Sequence, residues 1–348
     1  MKEIKQKISF TITQSIMTVE ELINNTETDV FDPVTLEGYQ RKIDDSHCQG
    51  IIDYILQNDF FFPSPIICST RENKKGKLWV VDGQHRIQAF RLLNDENNTL
   101  YYSKYKEIKD CSLPIIILKK PDIATEISTF ITINKTGKKV DTSLAYILRN
   151  RITNIEDDDL KNKIKVDYLI VELAEKINET KDSIWYNQIS FEGNPKNEGK
   201  LISLNAFVKA ERPYINKLIK CNLIDINWNG DKSKIELSLD QITNLFWFKW
   251  DVIQSKWKSL FNDDLDKRAI IQGPIGCSSL NKFIALVLLD KKEPLSIDEY
   301  KCTVDKIFCN LNIPADNWIR GIRYSLYSSE AGYSLVAKEL QKNCYIDE

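Results

Sequence analysis

The chain has 348 residues, enough for two domains and for a core that needs no covalent staples. Lysine and arginine total 48 against 50 aspartates and glutamates, a net charge of -2, which excludes a globally basic nucleic-acid coat but not a local basic patch. Only two histidines occur, His47 and His85, so His-rich metal centres are excluded, and the eight cysteines form no C-x-x-C pair and read as reduced thiols of a cytoplasmic protein.

In chain order, Lys7 to Thr13 alternates like a strand. Thr18 with Glu21 forms a capping box that opens a short helix to Asn24. Apolar residues at helical spacing from Leu36 to Gln57 predict one helix that carries Arg41 and His47. Ile66–Cys68 and Leu78–Val81 predict two buried strands joined by a charged turn, residues 71–77. A helix follows from Ile87, then a third strand from Leu113 to Leu118. Pro121 suits the first position of a helix that runs from Ile123 to Ile133. Asn134 to Lys139 reads as a basic turn, and a further helix runs to Arg149.

Beyond about residue 155 strand signals fade. Helices are predicted at Asp157–Glu179, Ser203–Lys220, Leu239–Phe261, Leu280–Leu289, Ser296–Leu311 and Tyr333–Gln341. Trp247, Trp250 and Trp257 share one face of the third of these and read as core. Gly273 to Ser279 lacks the G-K-[ST] ending of a phosphate loop, so Ser278 or Ser279 is expected to cap the next helix. No run of about 18 apolar residues occurs, so no membrane span is expected. The predicted architecture is α+β, with a mixed domain at 1–150 and a mainly helical domain at 151–348.

The densest chemistry lies at Asp82-Gly83-Gln84-His85-Arg86, where a buried strand enters a tight turn and then a helix. Such a junction turns unpaired N–H groups and the positive end of the helix dipole toward solvent, which suits an anion. Gly83 would permit a special backbone angle or a close approach by phosphate. Arg86 offers a planar fork of donors, His85 a donor or a titratable base, and Asp82 a ligand for Mg²⁺ or a hold on water. An ordinary solvated first turn is the competing reading. Residues 71–91 and 135–151 each carry an excess of four positive charges, which would attract phosphate if the two segments adjoin.

The DGQHR stretch on a strand–turn–helix resembles the motif of the DGQHR-domain family, which includes the DndB regulators of DNA phosphorothioation and the DpdB component of 7-deazaguanine DNA modification. Tyr39-Gln40-Arg41, Ile51 to Leu56, Phe61-Phe62-Pro63, Phe130…Ile133-Asn134, Ile202 to Phe207 and Tyr327 to Glu330 extend the likeness over most of the chain. A deeper likeness is to the ParB/sulfiredoxin fold, whose corresponding turn contacts nucleotide phosphates. That resemblance implies a ParB/sulfiredoxin-like N-terminal domain in which Gly83, Gln84, Arg41 and Asn134 bind a nucleotide. Asp82, His85 and Arg86 would then act on it, and Lys135, Lys138 and Lys139 would touch DNA or phosphate. Gln84 replaces the sulfiredoxin cysteine, so sulfiredoxin chemistry is not expected. Gln88 stands where ParB has its second basic residue. The expected function is a nucleotide-binding, NTP-hydrolysing component of a bacterial DNA-modification or phage-defence system, with ATP or another NTP and Mg²⁺ as ligands. DNA and other proteins of that system, and a second copy of the chain, are its expected partners. The alternative is a non-catalytic DNA-binding regulator of a phosphorothioation operon.

Overall fold

The computed structural model describes residues 2–4, 10–71, 76–136, 142–157, 160–261, 264–289 and 294–344. The chain divides into two compact units, Met1–Val140 and Asp141–Glu348.

The first unit is built on strands β1 (Lys2–Ile4), β2 (Thr11–Thr18), β3 (Thr26–Glu27), β4 (Ile66–Thr70), β5 (Leu78–Asp82) and β6 (Ser112–Lys119). They form one mixed sheet in the order β1-β2-β6-β4-β5-β3. β4 pairs antiparallel with β5 and parallel with β6, in the register Ile67 to Ile116. Helices α1 (Val19–Asn25), α2 (Asp45–Gln57), α3 (Gln84–Leu93) and α4 (Thr99–Ile108) cover one face, where Ile52, Ile55, Ile87, Phe90 and Ile108 meet Ile66, Cys68, Val80 and Ile115. On the other face lies α5 (Ile123–Thr136), which sets Phe130 5.6 Å from the Tyr39 ring. β5 is buried on both faces, which is why its sequence is a continuous apolar run rather than an alternating one.

The Thr18–Glu21 capping box forms as expected. Several expectations need correction. The first long strand is β2, shifted C-terminal to Lys7–Thr13, of which residues 7–9 lie outside the described part. The Leu36–Gln57 helix is only α2, capped by Asp44, so Arg41 precedes it rather than riding on it. The reason is the Val30–Gln40 loop. Gly38 sits at φ +73°, and a β-carbon there would meet the Val30 carbonyl oxygen at 2.1 Å, so a helix cannot run through it. The cap of α5 is Asp122, which accepts from the Thr125 N–H at 2.7 Å, and Pro121 stands outside the helix. α4 was not anticipated; Asn98 caps it by accepting from the Tyr101 N–H.

The second unit is mainly helical: α6 (Thr142–Ile152), α7 (Asn162–Glu179), α8 (Leu204–Lys220), α9 (Lys232–Lys256), α10 (Leu265–Arg268), α11 (Pro274–Leu289), α12 (Ile297–Cys309) and α13 (Glu330–Lys342). A short parallel pair, β7 (Ile189–Ser190) and β8 (Ile202–Ser203), accompanies them. α7 starts at Asn162, so Asp157 lies before it, and α9 starts at Lys232, well before Leu239. Ser278 and Ser279 are buried within α11 rather than capping it; the helix begins at Pro274, where a missing N–H costs nothing. Trp250 and Trp257 are core residues as expected, Trp250 standing edge-on to Trp185 at 4.9 Å. Fully buried at the centre, Lys249 meets Glu211 at 3.1 Å and Asn281 at 2.8 Å. No described helix is long and apolar enough to cross a membrane.

Candidate functional site

β5 ends at Asp82 and Gly83 turns the chain into α3. Gly83 adopts φ +103°, a left-handed angle that side-chain-bearing residues rarely take. A β-carbon there would stand 3.1 Å from both Arg86 Nη2 and Ile66 Cγ1. As the N-cap it supplies no side-chain acceptor to the first turn of α3. A Ser or Asp cap would have occupied one of those N–H groups.

Arg86 is largely buried, and both of its terminal nitrogens are engaged. Its Nη1 donates to the Ser64 carbonyl at 2.6 Å, and its Nη2 donates to the Pro65 carbonyl at 3.0 Å and to Asp82 at 3.3 Å. Burial lowers its pKa, and Asp82 opposes that shift. The nearby Cys68 thiol is pushed up to about 12 by burial, against the pull of Arg86. It is therefore a packed thiol, not a reactive thiolate.

His85 accepts at Nε2 from the Asp44 N–H, 3.2 Å away. That hydrogen bond assigns the lone pair to Nε2 and the ring proton to Nδ1. The His47 ring stands edge-on to it at 4.8 Å. Gln84 is buried; its Nε2 donates to the Arg41 carbonyl at 3.2 Å, while its Oε1 has no hydrogen-bond partner among the described residues. Arg41 Nη2 in turn donates to Asn134 Oδ1 at 3.3 Å, and Asn134 Nδ2 donates back to the Phe130 carbonyl in α5. Five of the sequence-predicted residues, Arg41, Asp82, Gln84, His85 and Arg86, thus meet around the start of α3, with Asn134 joined through Arg41. Lys135 lies in the last turn of α5 with its side chain outside the described residues, and Lys138 and Lys139 lie outside them altogether.

The described cations of the expected basic segment 71–91 have partners within the fold. Arg71 Nη2 donates to Glu126 at 2.7 Å and to Asp29 at 2.8 Å, Lys77 to the Asn24 carbonyl, and Arg91 to the Thr26 carbonyl. Together with Arg86, these cations hold the fold; Lys74 and Lys75 lie outside the described part.

Behind β5 lies a polar cluster that sequence reasoning missed. The Glu126 carboxylate, 1% exposed, accepts from Ser69 Oγ at 2.7 Å, from Tyr39 OH at 3.0 Å and from Arg71. Arg71 also lies 4.2 Å over the Trp79 ring. Burial works against the charge of Arg71, but hydrogen bonding to Glu126 and Asp29 outweighs it and holds the guanidinium above its ordinary range. Burial and Glu126 both raise the Tyr39 hydroxyl well beyond the phenol range. Beside them, Gln40 Nε2 donates to the Val80 and Val81 carbonyls, fixing the strand that delivers Asp82.

Mg²⁺ is the metal the motif implies, and it can be bound through one or two carboxylates plus substrate phosphates. Asp82 is the carboxylate within reach and is paired with Arg86, and among the described residues no cluster of three or more His, Cys, Asp or Glu side chains could hold a metal.

An α+β unit with a strand–glycine-turn–helix junction carrying DGQHR, followed by a helical unit, defines the class of protein. Residues 6–155 match the family described as DndB, DNA-sulfur modification-associated. The match associates the chain with DNA-sulfur modification. No curated protein and no solved structure matches it.

Proposed function

We propose that the protein is a phosphate-recognising component of a DNA-sulfur modification system, which binds a nucleotide at the N-terminus of α3. The observation that carries this reading is the Gly83 cap. A left-handed glycine with no side-chain acceptor fronts a ten-residue helix, so first-turn N–H groups and the helix dipole face an incoming anion. Arg41, held by Asn134, stands at the border of that turn through its carbonyl contact with Gln84. Hydrolysis belongs to the proposal and would require Asp82 to leave Arg86. A ParB/sulfiredoxin-like fold for the first unit is part of the same proposal and is supported by the DGQHR strand–turn–helix.

The test is binding of a fluorescent ATP analogue, together with ATP and GTP hydrolysis in Mg²⁺, by wild type, Arg41→Ala and Asp82→Ala. Binding weakened by Arg41→Ala with hydrolysis lost in Asp82→Ala supports a nucleotide hydrolase. Hydrolysis that survives both substitutions sinks the site.

A second reading, a non-catalytic DNA-binding regulator, is favoured by one observation. Asp82 and Arg86 are already committed to each other and to the 64–65 loop, which leaves the phosphoryl-transfer groups tied into the fold. Salt-sensitive binding to promoter DNA without nucleotide turnover would select it.

A further inference from the structure

The solvent side of α2 and the loop after it differ in charge from the rest of the first unit. Residues 43–70 contain no lysine or arginine and four aspartates, Asp44, Asp45, Asp53 and Asp59. Asp45, Gln49, Asp53 and Gln57 recur every four residues and form one exposed stripe along the helix. The last turn of α2 holds no basic residue to offset the negative end of its dipole, and Asp59 lies two residues past the helix.

Against this stripe stands one presented aromatic ring. In the run Phe60-Phe61-Phe62 the outer two rings turn inward, each within 6 Å of Phe90, while Phe61 is 64% exposed. The loop carrying Phe61 is fixed from three sides. Tyr54 OH donates to the Phe61 carbonyl at 3.2 Å, Asn58 Nδ2 donates to the Tyr54 carbonyl, and Arg86 clamps the Ser64 and Pro65 carbonyls. A lone exposed phenylalanine is ordinary on a protein surface. One held rigid from below, beside an exposed Tyr54 and a helix stripe of aspartate and glutamine, has its ordering cost met before any partner arrives.

We propose that the exposed face of α2 and the Phe61 loop form a docking surface for a basic protein segment, one rich in lysine or arginine and carrying an apolar side chain to meet Phe61. Charge complementarity selects this occupant, because phosphate backbones would be repelled by the aspartates and would find no lysine or arginine in residues 43–70. Phe61 would be the central anchor, and Asp45, Asp53 and Asp59 would steer the encounter and set its salt dependence. Because the clamp on the loop is Arg86, the surface is mechanically tied to the DGQHR turn.

The test uses the full chain and a fluorescein-labelled amphipathic peptide of lysine and leucine, read by anisotropy at low and high salt. Wild type, Phe61→Ser and the double variant Asp53→Lys/Asp59→Lys are compared, with an acidic peptide and a DNA duplex as alternative probes. All substituted positions are exposed, so unchanged urea unfolding is expected and separates binding from folding. Wild type is expected to bind the basic peptide, each variant at least about tenfold more weakly, with the effect of the double variant shrinking at high salt. Equal binding by all three proteins overturns the proposal. So does duplex binding that depends on Phe61, and so does a dimer in sedimentation that Phe61→Ser converts to monomer.

Discussion

The two histidines of the chain meet: the His47 ring stands edge-on to the His85 ring at 4.8 Å, and His85 Nε2 accepts the N–H of Asp44, the residue that caps the helix carrying His47. The motif histidine therefore joins the start of α3 to the start of α2. Replacing His85 with Ala leaves the part-buried Asp44 N–H without this acceptor and is expected to cost about 1 kcal/mol in urea unfolding. His85→Phe should do no better than Ala, because the ring alone does not accept. Full stability in His85→Phe would show that the hydrogen bond contributes nothing.

Gly83→Ala tests the turn. A side chain at φ +103° is strained, and its β-carbon would press on Arg86 and Ile66. The expected loss is about 1–3 kcal/mol, with nucleotide binding weakened as well. A variant as stable as wild type would mean that the turn relaxes without cost.

Arg86→Lys tests whether the motif arginine is a structural clamp. A lysine cannot reproduce three directed bonds to Ser64, Pro65 and Asp82. Unfolding measured in urea should show a loss of about 1.5–3 kcal/mol without any ligand present. An arginine whose role is confined to a ligand would leave the free protein unchanged.

Glu126→Gln breaks the cluster behind β5. Arg71 would keep its charge in a site that is only 22% exposed and lose its nearest carboxylate. About 3 kcal/mol of destabilisation is expected. Double substitution with Arg71→Met should recover part of it, because the stranded charge is then gone; if the double variant is as unstable as the sum of the two single ones, the pair is not coupled.

In the helical unit, burial raises the Glu175 carboxyl to about 7, with Glu172 and Glu179 adding to the shift. The native state holds this proton more tightly than the unfolded chain, so its contribution to stability is present at low pH and is lost as pH rises through about 7. Glu175→Gln should therefore be more stable than wild type at pH above that value, with the difference vanishing in the acid range. A pH-independent difference would contradict the assignment.

The strand–turn–helix was legible in the sequence because its signals are local: an apolar run, Asp-Gly and then helical spacing. The capping box at Thr18 is equally local. The failures that bear on the site are set by contacts beyond the local pattern. Apolar spacing through Leu36 resembled a helix, yet the close approach of Gly38 to Val30 decided the loop. Charge counting gave a basic patch, but counting cannot see that Arg71 is tied to Glu126 and Asp29 and that Arg91 is spent on a backbone carbonyl. Glu126 meets residues 55 to 87 positions away, and no periodicity announces such a pair.

The most direct measurement of the central claim uses the scarcity of histidine. Labelling histidine with ¹⁵N gives two backbone amide signals, one from His85 in the first turn of α3 and one from His47 in α2. Titration with ATP, and separately with pyrophosphate, should move the His85 amide saturably and by more than the His47 amide, and Gly83→Ala should suppress the movement. An unmoved His85 signal at ATP concentrations where the protein demonstrably binds the nucleotide would contradict phosphate recognition at this turn.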